Sequence, residues 1–365
     1  MQIAEIINEL ERRAPLHLQE KYDNAGLITG DKNALCTGII CALDATEEVI
    51  AEAIANGCNL VVAHHPILFY GLKKITGKDY VEKAIILAIK NDIALYAIHT
   101  NLDNMLDGVN GKIAALLGLK NIKVLNPKPG VLQKLYTYVP ISHKEKLLNA
   151  LFEAGGGVIS DYSECSFSME GKGTFKPGQN THPYSGEHGK RAEENEVKIE
   201  LIFPAWLQQN ILRALKENHP YEEVAYEIIR LENTSNSMGS GIIGELPEAL
   251  AENELFEFIK TTLGLKVIKH TKFLQKPISK IAVCGGAGSF LIKDAIAAGA
   301  GLFLTSDIKY HEFFDADGKI LLADAGHWET EQFTIDLLFD ILRQKFPNFA
   351  VLKTKMRTNP VFYFI

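Results

Sequence analysis

The sequence predicts an α/β protein with a two-lobed core, which the N-terminal and C-terminal segments build together around an inserted domain. Apolar strand patterns alternate with helical patterns in the first third of the chain and again in the last third. The segment between them has the order β, α, β, β, α, β, which fits a ferredoxin-like (βαββαβ) α+β module. The predicted boundaries are 1–126 for the first lobe, 127–238 for the inserted domain and 239–365 for the second lobe.

Composition excludes several classes of protein. The 365 residues are 47% hydrophobic and 23% charged, and this length favours roughly two or three domains. No stretch approaches the roughly 18 consecutive apolar residues of a membrane span, and the N-terminus predicts an amphipathic helix rather than a signal peptide. We therefore expect a cytoplasmic protein without a membrane partner. A net charge of -7 with no block of Lys or Arg argues against nonspecific nucleic-acid binding.

The first third predicts βαβ units. Residues 38–46 and 59–66 are apolar runs typical of buried strands, and the helical pattern between them closes on Gly57. A second helix at 79–91 leads into another short strand within 92–103, which ends in polar residues. A further helix follows, and the stretch NPKPG then favours a turn or linker.

The inserted segment supplies the six elements of the predicted module. Its two helices are expected at 142–157 and 205–220. Between the central strands, residues 171–195 are rich in Gly, Pro and charge, so we expect a long surface loop there. The stretch ENTSNSMGSG has the composition of a second linker. The predicted strands are 132–140, 163–171, 196–204 and 224–232.

The last third resumes the strand and helix alternation. The segments SKIAVCGGAGS, KDAIAAGAGLFLTSD and KILLADAGHWETEQF each end an apolar run in small or polar residues, as VVAHHP and LYAIHTNLD do earlier. In open α/β sheets the strand ends line the ligand crevice. If all these strands belong to one sheet, polar residues from distant parts of the chain converge at its edge.

Two histidines and an aspartate stand at strand ends in the first lobe. His64 and His65 follow an apolar strand, and the turn at Pro66 can bring both imidazoles to one pocket. The alternative is one core histidine and one surface histidine. Asp103 also leaves a strand end, where it could be a ligand or an Asx-turn and helix cap.

A second pair lies in the last lobe. His327 and Glu331 are four residues apart, so on a helix both side chains fall on one face; the alternative is a solvent-facing polar turn. Three imidazoles and two carboxylates exceed what one tetrahedral ion with an open position needs. We therefore predict two divalent metal ions per chain, with Glu331 as the bridge. Mixed ligands of this kind suit Zn, Fe, Mn or Co.

Three further motifs leave alternatives open. CGGAGS could contact an anion or form a tight structural turn, and it lacks the GK[ST] ending of a P-loop. In TSDIKYHE, His311 is a candidate catalytic acid or base, or a surface histidine. YDNAGL could cap a helix or line the crevice.

The motifs YDNAGL, AHHP, HTNLDN, CGGAGS, TSDIKYH and DAGHWETE occur in an order that resembles the NIF-three-like family, often named GTP cyclohydrolase 1 type 2 homologues. The longer bacterial branch carries an insert similar to the PII and CutA proteins, and GKGTFKP and PYSGEHGK look like that insert. The resemblance implies a toroidal homohexamer with its sites facing an internal cavity. It also implies two-metal ligands at His64, His65, Asp103, His327 and Glu331.

Chemistry narrows the expected activity. Two metal ions that share a carboxylate can activate water and stabilise an oxyanion, which favours hydrolysis of a ring C–N bond or a phosphoester. The leading hypothesis is a metal-dependent hydrolase, GTP cyclohydrolase-like, acting on a small molecule such as a nucleotide. The alternative is a non-enzymatic metal-binding or regulatory scaffold, which the PII-like insert supports by analogy only.

Overall fold

The computed structural model describes residues 1–364 and divides into two compact units. Unit 1 joins Met1–Pro127 to the chain from Ser237 onward, and unit 2 is Lys128–Asn236. Both units mix helices with sheets, which confirms the predicted α/β class. Within residues 1–364, none of the helices combines the length and the apolar character that crossing a membrane requires.

The helices and strands alternate along most of the chain. The strands are β1 (Gly26–Thr29), β2 (Ile39–Ala42), β3 (Leu60–Ala63), β4 (Ala94–Ala97), β5 (Lys120–Pro127), β6 (Leu132–Pro140), β7 (Phe167–Phe175), β8 (Ala192–Pro204), β9 (Tyr226–Arg230), β10 (Gly239–Leu250), β11 (Lys269–His270), β12 (Ile278–Ala287), β13 (Leu302–Ser306), β14 (Leu321–Asp324) and β15 (Val351–Lys353). The α-helices are α1 (Ile3–Arg13), α2 (Glu47–Ala55), α3 (Tyr80–Lys90), α4 (Thr100–Asp103), α5 (Val109–Leu116), α6 (Lys144–Glu153), α7 (Gln208–Asn218), α8 (Glu252–Leu263), α9 (Ile292–Ala297), α10 (His327–Glu331) and α11 (Thr334–Lys345).

The first sheet of unit 1 has the strand order β1-β4-β3-β2-β15. Its pairs β15·β2, β2·β3 and β3·β4 are parallel, and only β1 runs antiparallel to its neighbour. Every residue of β2, β3 and β4 is buried, as their uninterrupted apolar sequences require. These strands fix the positions of the polar residues that follow them.

The second sheet of unit 1 has the order β11-β14-β13-β12-β10-β5. The strands β12, β13 and β14 are parallel, whereas β11, β10 and β5 are antiparallel to their neighbours. The expectation of a single sheet is therefore wrong. Apolar runs specify strands but not their partners, because pairing depends on contacts between distant segments.

The two ends of the chain share one core. Strand β15 from the last third completes the first sheet, and β5 from the first third completes the second. A single hydrophobic cluster includes Ile3 and Val62 from the first third together with Leu304 and Leu342 from the last. Both segments therefore contribute to one α/β core, as predicted. They do so by exchanging edge strands and by sharing one apolar interior.

Unit 2 contains β6, α6, β7, β8, α7 and β9 in chain order. Its sheet has the order β7-β8-β6-β9, and all three pairs are antiparallel. Leu147 and Leu151 of α6 and Ile211 of α7 pack with Val139 and Ile199 of the sheet. The other face of the sheet carries the alternate, more polar residues of the same strands.

The predicted loop 171–195 is shorter in the structure. Strand β7 continues to Phe175 and β8 begins at Ala192, so only residues 176–191 connect them. The two strands pair continuously from Phe167↔Glu200 to Phe175↔Ala192. Backbone pairing along this antiparallel ladder outweighs the weak strand propensity of its glycines and charged residues.

Unit 1 should fold without unit 2. Pro127 and Gly239 are direct partners in the β5·β10 ladder, so a short turn can replace the inserted residues. We predict that a chain joining Pro127 through Asn-Gly to Ser237 unfolds cooperatively. Every residue of the large hydrophobic cluster of unit 1 lies outside the deleted segment, so the deletion leaves this core intact. Circular dichroism melts alongside the full chain test this. Loss of a cooperative transition in the joined chain would show that unit 1 depends on the insertion.

Candidate metal centre

His64 and His65 stand at the carboxyl end of β3, the central strand of the first sheet. They follow β3, and their backbone N–H groups continue its ladder by donating to Ala42 O and Leu43 O at 3.2 and 2.9 Å. The two ring centroids are 5.0 Å apart, and His64 is fully buried. The chain therefore turns immediately after β3, and both rings point into one pocket as the sequence predicts.

Asp103 reaches the same pocket from the end of α4, directly after β4. The Nε2 atom of His64 lies 3.5 Å from Asp103 Oδ1. Neither atom has a hydrogen-bond partner, although both are buried. A buried acceptor and a buried ring nitrogen that face each other without a proton donor between them fit a shared cation.

His327 and Glu331 form the first and last residues of α10, which follows β14. Their Nε2 and Oε2 atoms are 3.0 Å apart, as expected for residues one turn apart. Glu331 is buried, and its side chain is only 3% exposed. Gly286 makes room for it, because a Cβ atom there would lie 2.2 Å from Glu331 Oε1.

Glu331 lies at the centre of the five predicted residues. Its Oε2 atom is 2.8 Å from Nε2 of His65, and its Oε1 atom is 3.9 Å from Nε2 of His64. Two sets of donor atoms therefore share this carboxylate, and within each set all the atoms lie within 4.8 Å of one another. One set is His65, His327 and Glu331, and the other is His64, Asp103 and Glu331. All five predicted residues thus converge.

His99 is a sixth residue at this centre and was not predicted from the sequence. It joins His64 and His65 in a third set of donor atoms. His99 lies between β4 and α4, the helix that ends at Asp103. A histidine just after a strand was the sequence signal that could have indicated it.

The imidazoles are held by one recurring arrangement. The Nδ1 atom of each ring lies within 2.6 to 2.8 Å of an oxygen acceptor, which leaves Nε2 for the centre. Histidine ligands of metal ions commonly use their second nitrogen in this way, because the acceptor fixes the tautomer and the ring plane. The pairs are His64 with Ile98 O, His65 with Asp44, His99 with Asp23 and His327 with Asp307.

Electrostatics match this arrangement. Burial opposes protonation of His65 and His327, but nearby carboxylates outweigh it. Asp44 and Glu331 raise the pKa of His65 to about 10, and Asp307 and Glu331 raise the pKa of His327 to about 11. Without metal, the imidazolium forms of His65 and His327 therefore face the carboxylates of Glu331, Asp44 and Asp307, and bound metal ions would replace that positive charge.

The other two central residues respond differently. Burial lowers the pKa of His64, so this ring is neutral and its free nitrogen can act as a ligand. Burial and the charge of Glu331 raise the pKa of Asp103. Two carboxylates crowded at one centre are a configuration that a cation stabilises strongly.

His311 does not join the centre. Its exposed ring meets Tyr310 edge-to-face and stacks on Phe314, and it belongs to none of the three donor sets found within residues 1–364. Another residue of the same motif, Asp307, contacts the centre instead, because its Oδ2 atom lies 2.6 Å from Nδ1 of His327. The role of His311 as a catalytic acid or base stays a prediction.

The glycine motif and the YDNAGL motif have structural contacts. The N–H groups of Gly285 and Gly286 donate to Asn110 Oδ1 and Thr330 Oγ1, so these amides are already satisfied. This favours the tight turn over an anion site. Asp23 accepts from the N–H group of Thr100 and so caps α4, while its other oxygen holds His99. YDNAGL therefore both caps a helix and supports the centre.

The last described segment also reaches this centre. Thr358 donates its hydroxyl hydrogen bond to Asp44 Oδ2, while Asp44 Oδ1 holds His65. Asn359 is buried and donates to Glu329 Oε1 at 3.0 Å. Thr358 and Asp44 gave no sequence signal, because their roles depend on a contact across more than three hundred residues.

Comparison with known proteins gives consistent results. The family model described as Duf34/NIF3 (NGG1p interacting factor 3) matches residues 1–360. A "GTP cyclohydrolase 1 type 2 homolog" of Halalkalibacterium halodurans is 37% identical over 97% of both chains, and one of Staphylococcus epidermidis is 34% identical over the full length of both. The crystal structure of a Bacillus cereus protein related to NIF3 has a TM-score of 0.87 and 37% identity, covering 100% of this chain and 99% of that one.

Thr358 should tune the metal affinity. We predict that Thr358→Val lowers zinc affinity by about tenfold, because Asp44 loses a donor and holds His65 less firmly. Thr354→Val is the matched control, since that hydroxyl donates to Glu52 instead. Competition with a chromophoric chelator measures both. Equal affinities in the two variants would contradict the role of Thr358.

Proposed function

The chain belongs to the Duf34/NIF3 family, and we propose that it binds two divalent metal ions and acts as a metal-dependent hydrolase. The observation that carries this proposal is the pair of donor sets that share Glu331. Sites built from histidine and carboxylate ligands suit Zn, Fe, Mn or Co.

Glu331 is suited to the bridging role. Its Oε2 atom faces His65 and His327, whereas Oε1 faces His64 on the other side. Two ions in such sites lie roughly 3.5 to 4 Å apart, a span that one carboxylate covers. Each ion would then have two ligands of its own, His65 and His327 for one and His64 and Asp103 for the other.

The residues around the ions have defined tasks in this proposal. A bound metal pair supplies a nucleophilic water at neutral pH and stabilises negative charge on the substrate. The acceptors on each Nδ1 atom fix the ligand rings, so the site needs little rearrangement before reaction. His99 adds a third imidazole beside His64 and His65 that can accept or donate a proton at Nε2.

We propose a GTP cyclohydrolase-like reaction, in which a ring C–N bond of a nucleotide is hydrolysed. The support is the name that the relatives carry together with the chemistry of a two-metal centre. The second candidate is a non-enzymatic metal-binding or regulatory scaffold. From its βαββαβ order, we propose that unit 2 is a ferredoxin-like, PII-like or CutA-like module. This proposal favours the scaffold function by analogy only.

Assembly is a separate proposal. We propose that the chain forms a homohexamer, as the family resemblance implies. A mass of one chain by light scattering at micromolar concentration would contradict the hexamer and leave the metal proposal intact.

Elemental analysis tests the dinuclear centre. We predict about two ions per chain in the wild type and none in Glu331→Ala, because both ions lose their shared ligand. His64→Ala, His65→Ala and His327→Ala should each retain more metal than Glu331→Ala. Glu257→Ala, on an exposed part of α8, is the control. One ion per wild-type chain rejects the pair, and full occupancy in Glu331→Ala rejects the bridge.

Turnover separates the two candidate functions. We predict that protein loaded with Zn or Mn hydrolyses at least one member of a panel of nucleotides, phosphoesters and cyclic amides. Activity should vanish in Glu331→Ala and persist in Glu257→Ala, because only the first removes a predicted ligand. Chromatography of the products measures both. Metal-loaded wild type that hydrolyses no member of the panel would favour the scaffold.

A further inference from the structure

Unit 2 contains a cavity of its own. It has a volume of about 560 Å³ and lies among strand β7, the loop 176–191 and residues 221–225. Tyr138, Glu196 and Lys198 from β6 and β8 also line it. Such a volume is within the range of small-molecule sites.

Aromatic rings form part of the wall. The rings of Tyr184 and Tyr221 have centroids 5.7 Å apart, and Phe175 lies 6.3 Å from Tyr221. All three residues line the cavity. The faces of such rings carry negative electrostatic potential and attract cations, most strongly where water is excluded.

Glu196 is a buried carboxylate within this cavity. The residue is 9% exposed, and its Oε1 atom accepts a hydrogen bond of 2.7 Å from the hydroxyl of Tyr221. Burial and Glu196 raise the pKa of Tyr221, so this hydroxyl stays a donor. Within residues 1–364, no Lys, Arg or His nitrogen forms an ion pair with Glu196. A buried carboxylate without a cationic partner is unfavourable unless a ligand supplies one.

Gly173 gives the carboxylate its space. A Cβ atom at residue 173 would lie 2.0 Å from Glu196 Oε2, so any side chain there would displace the carboxylate. The glycine in this strand therefore serves the placement of Glu196 rather than a special backbone conformation.

The lysines that line the cavity are already paired elsewhere. Lys172 forms an ion pair with Glu193, and Lys198 lies 2.8 Å from Glu200 Oε1 and over the ring of Tyr136. Neither Glu193 nor Glu200 lines the cavity, whereas Glu170, Glu222 and Glu223 do. The charge available to a ligand is therefore negative.

We propose that this cavity binds a small organic cation, a quaternary or protonated amine, with its positive charge against Glu196 and beside the rings of Tyr184 and Tyr221. All the residues of this site belong to unit 2, whereas those of the metal centre belong to unit 1. Neither a metal ion nor the hydrolase proposal is needed for this binding.

Calorimetry on the full chain tests the site with choline and benzyltrimethylammonium as probes. We expect at least one cation to bind, and Glu196→Gln to weaken it by about tenfold or more, since the charge pair is lost. Tyr184→Leu should weaken it about threefold or more through loss of the ring. Glu187→Gln, an exposed glutamate of the same loop, is the control and should bind as the wild type does.

An uncharged analogue separates charge from shape. The alcohol 3,3-dimethylbutan-1-ol has the shape of choline without its charge, and it should not compete with the bound cation. No binding of either cation to the wild type at millimolar concentration overturns the proposal, as does equal affinity in Glu196→Gln. If Glu196→Gln does not give a wild-type thermal melt, Tyr184→Leu decides: unchanged affinity in that variant overturns the site.

Discussion

The buried carboxylate of Glu331 is the constraint on which the organisation of unit 1 depends. A charge with 3% exposure is stable only when opposite charge or strong donors surround it. Here His65, His327 and His64 approach it from three directions. His64 and His65 follow β3 of the first sheet and His327 follows β14 of the second, so strands of both sheets supply the groups that compensate the carboxylate. The requirement for compensation thereby couples the two ends of the chain at one point.

Hydrogen bonds from other segments of the chain fix the imidazole rings around the centre. Each of these imidazole rings is fixed through Nδ1 by an acceptor from another segment, such as Asp44 for His65 and Asp307 for His327. The position of each Nε2 atom is then determined by the fold rather than by a flexible side chain. In the proposed metal site, a cation would therefore bind without the side chains having to be ordered first. The fold also leaves His64 Nε2 and Asp103 Oδ1 buried without a hydrogen-bond partner.

Much of this arrangement could be predicted from the sequence. The apolar runs of β2, β3 and β4 and the spacing of His327 and Glu331 are local signals, and the structure places them as expected. The short edge strands β1, β11 and β15 were not predicted, because they hold only two to four residues and depend on their partners. Thr358 was missed for the same physical reason, since its role arises from a contact between distant segments, whereas the position of His99 at a strand end was a local signal.

The exchanged strand β15 has a consequence for the order of events during synthesis. The ribosome completes β2 roughly 300 residues before Val351–Lys353 emerge, an interval of about 15 to 60 s at typical elongation rates. Throughout that interval the β2 edge of the nascent sheet lacks its permanent neighbour, and unpaired edges recruit other strands. The β2 edge is therefore open to pairing with other strands until translation is nearly finished. Correct pairing becomes permanent only when the last strand arrives.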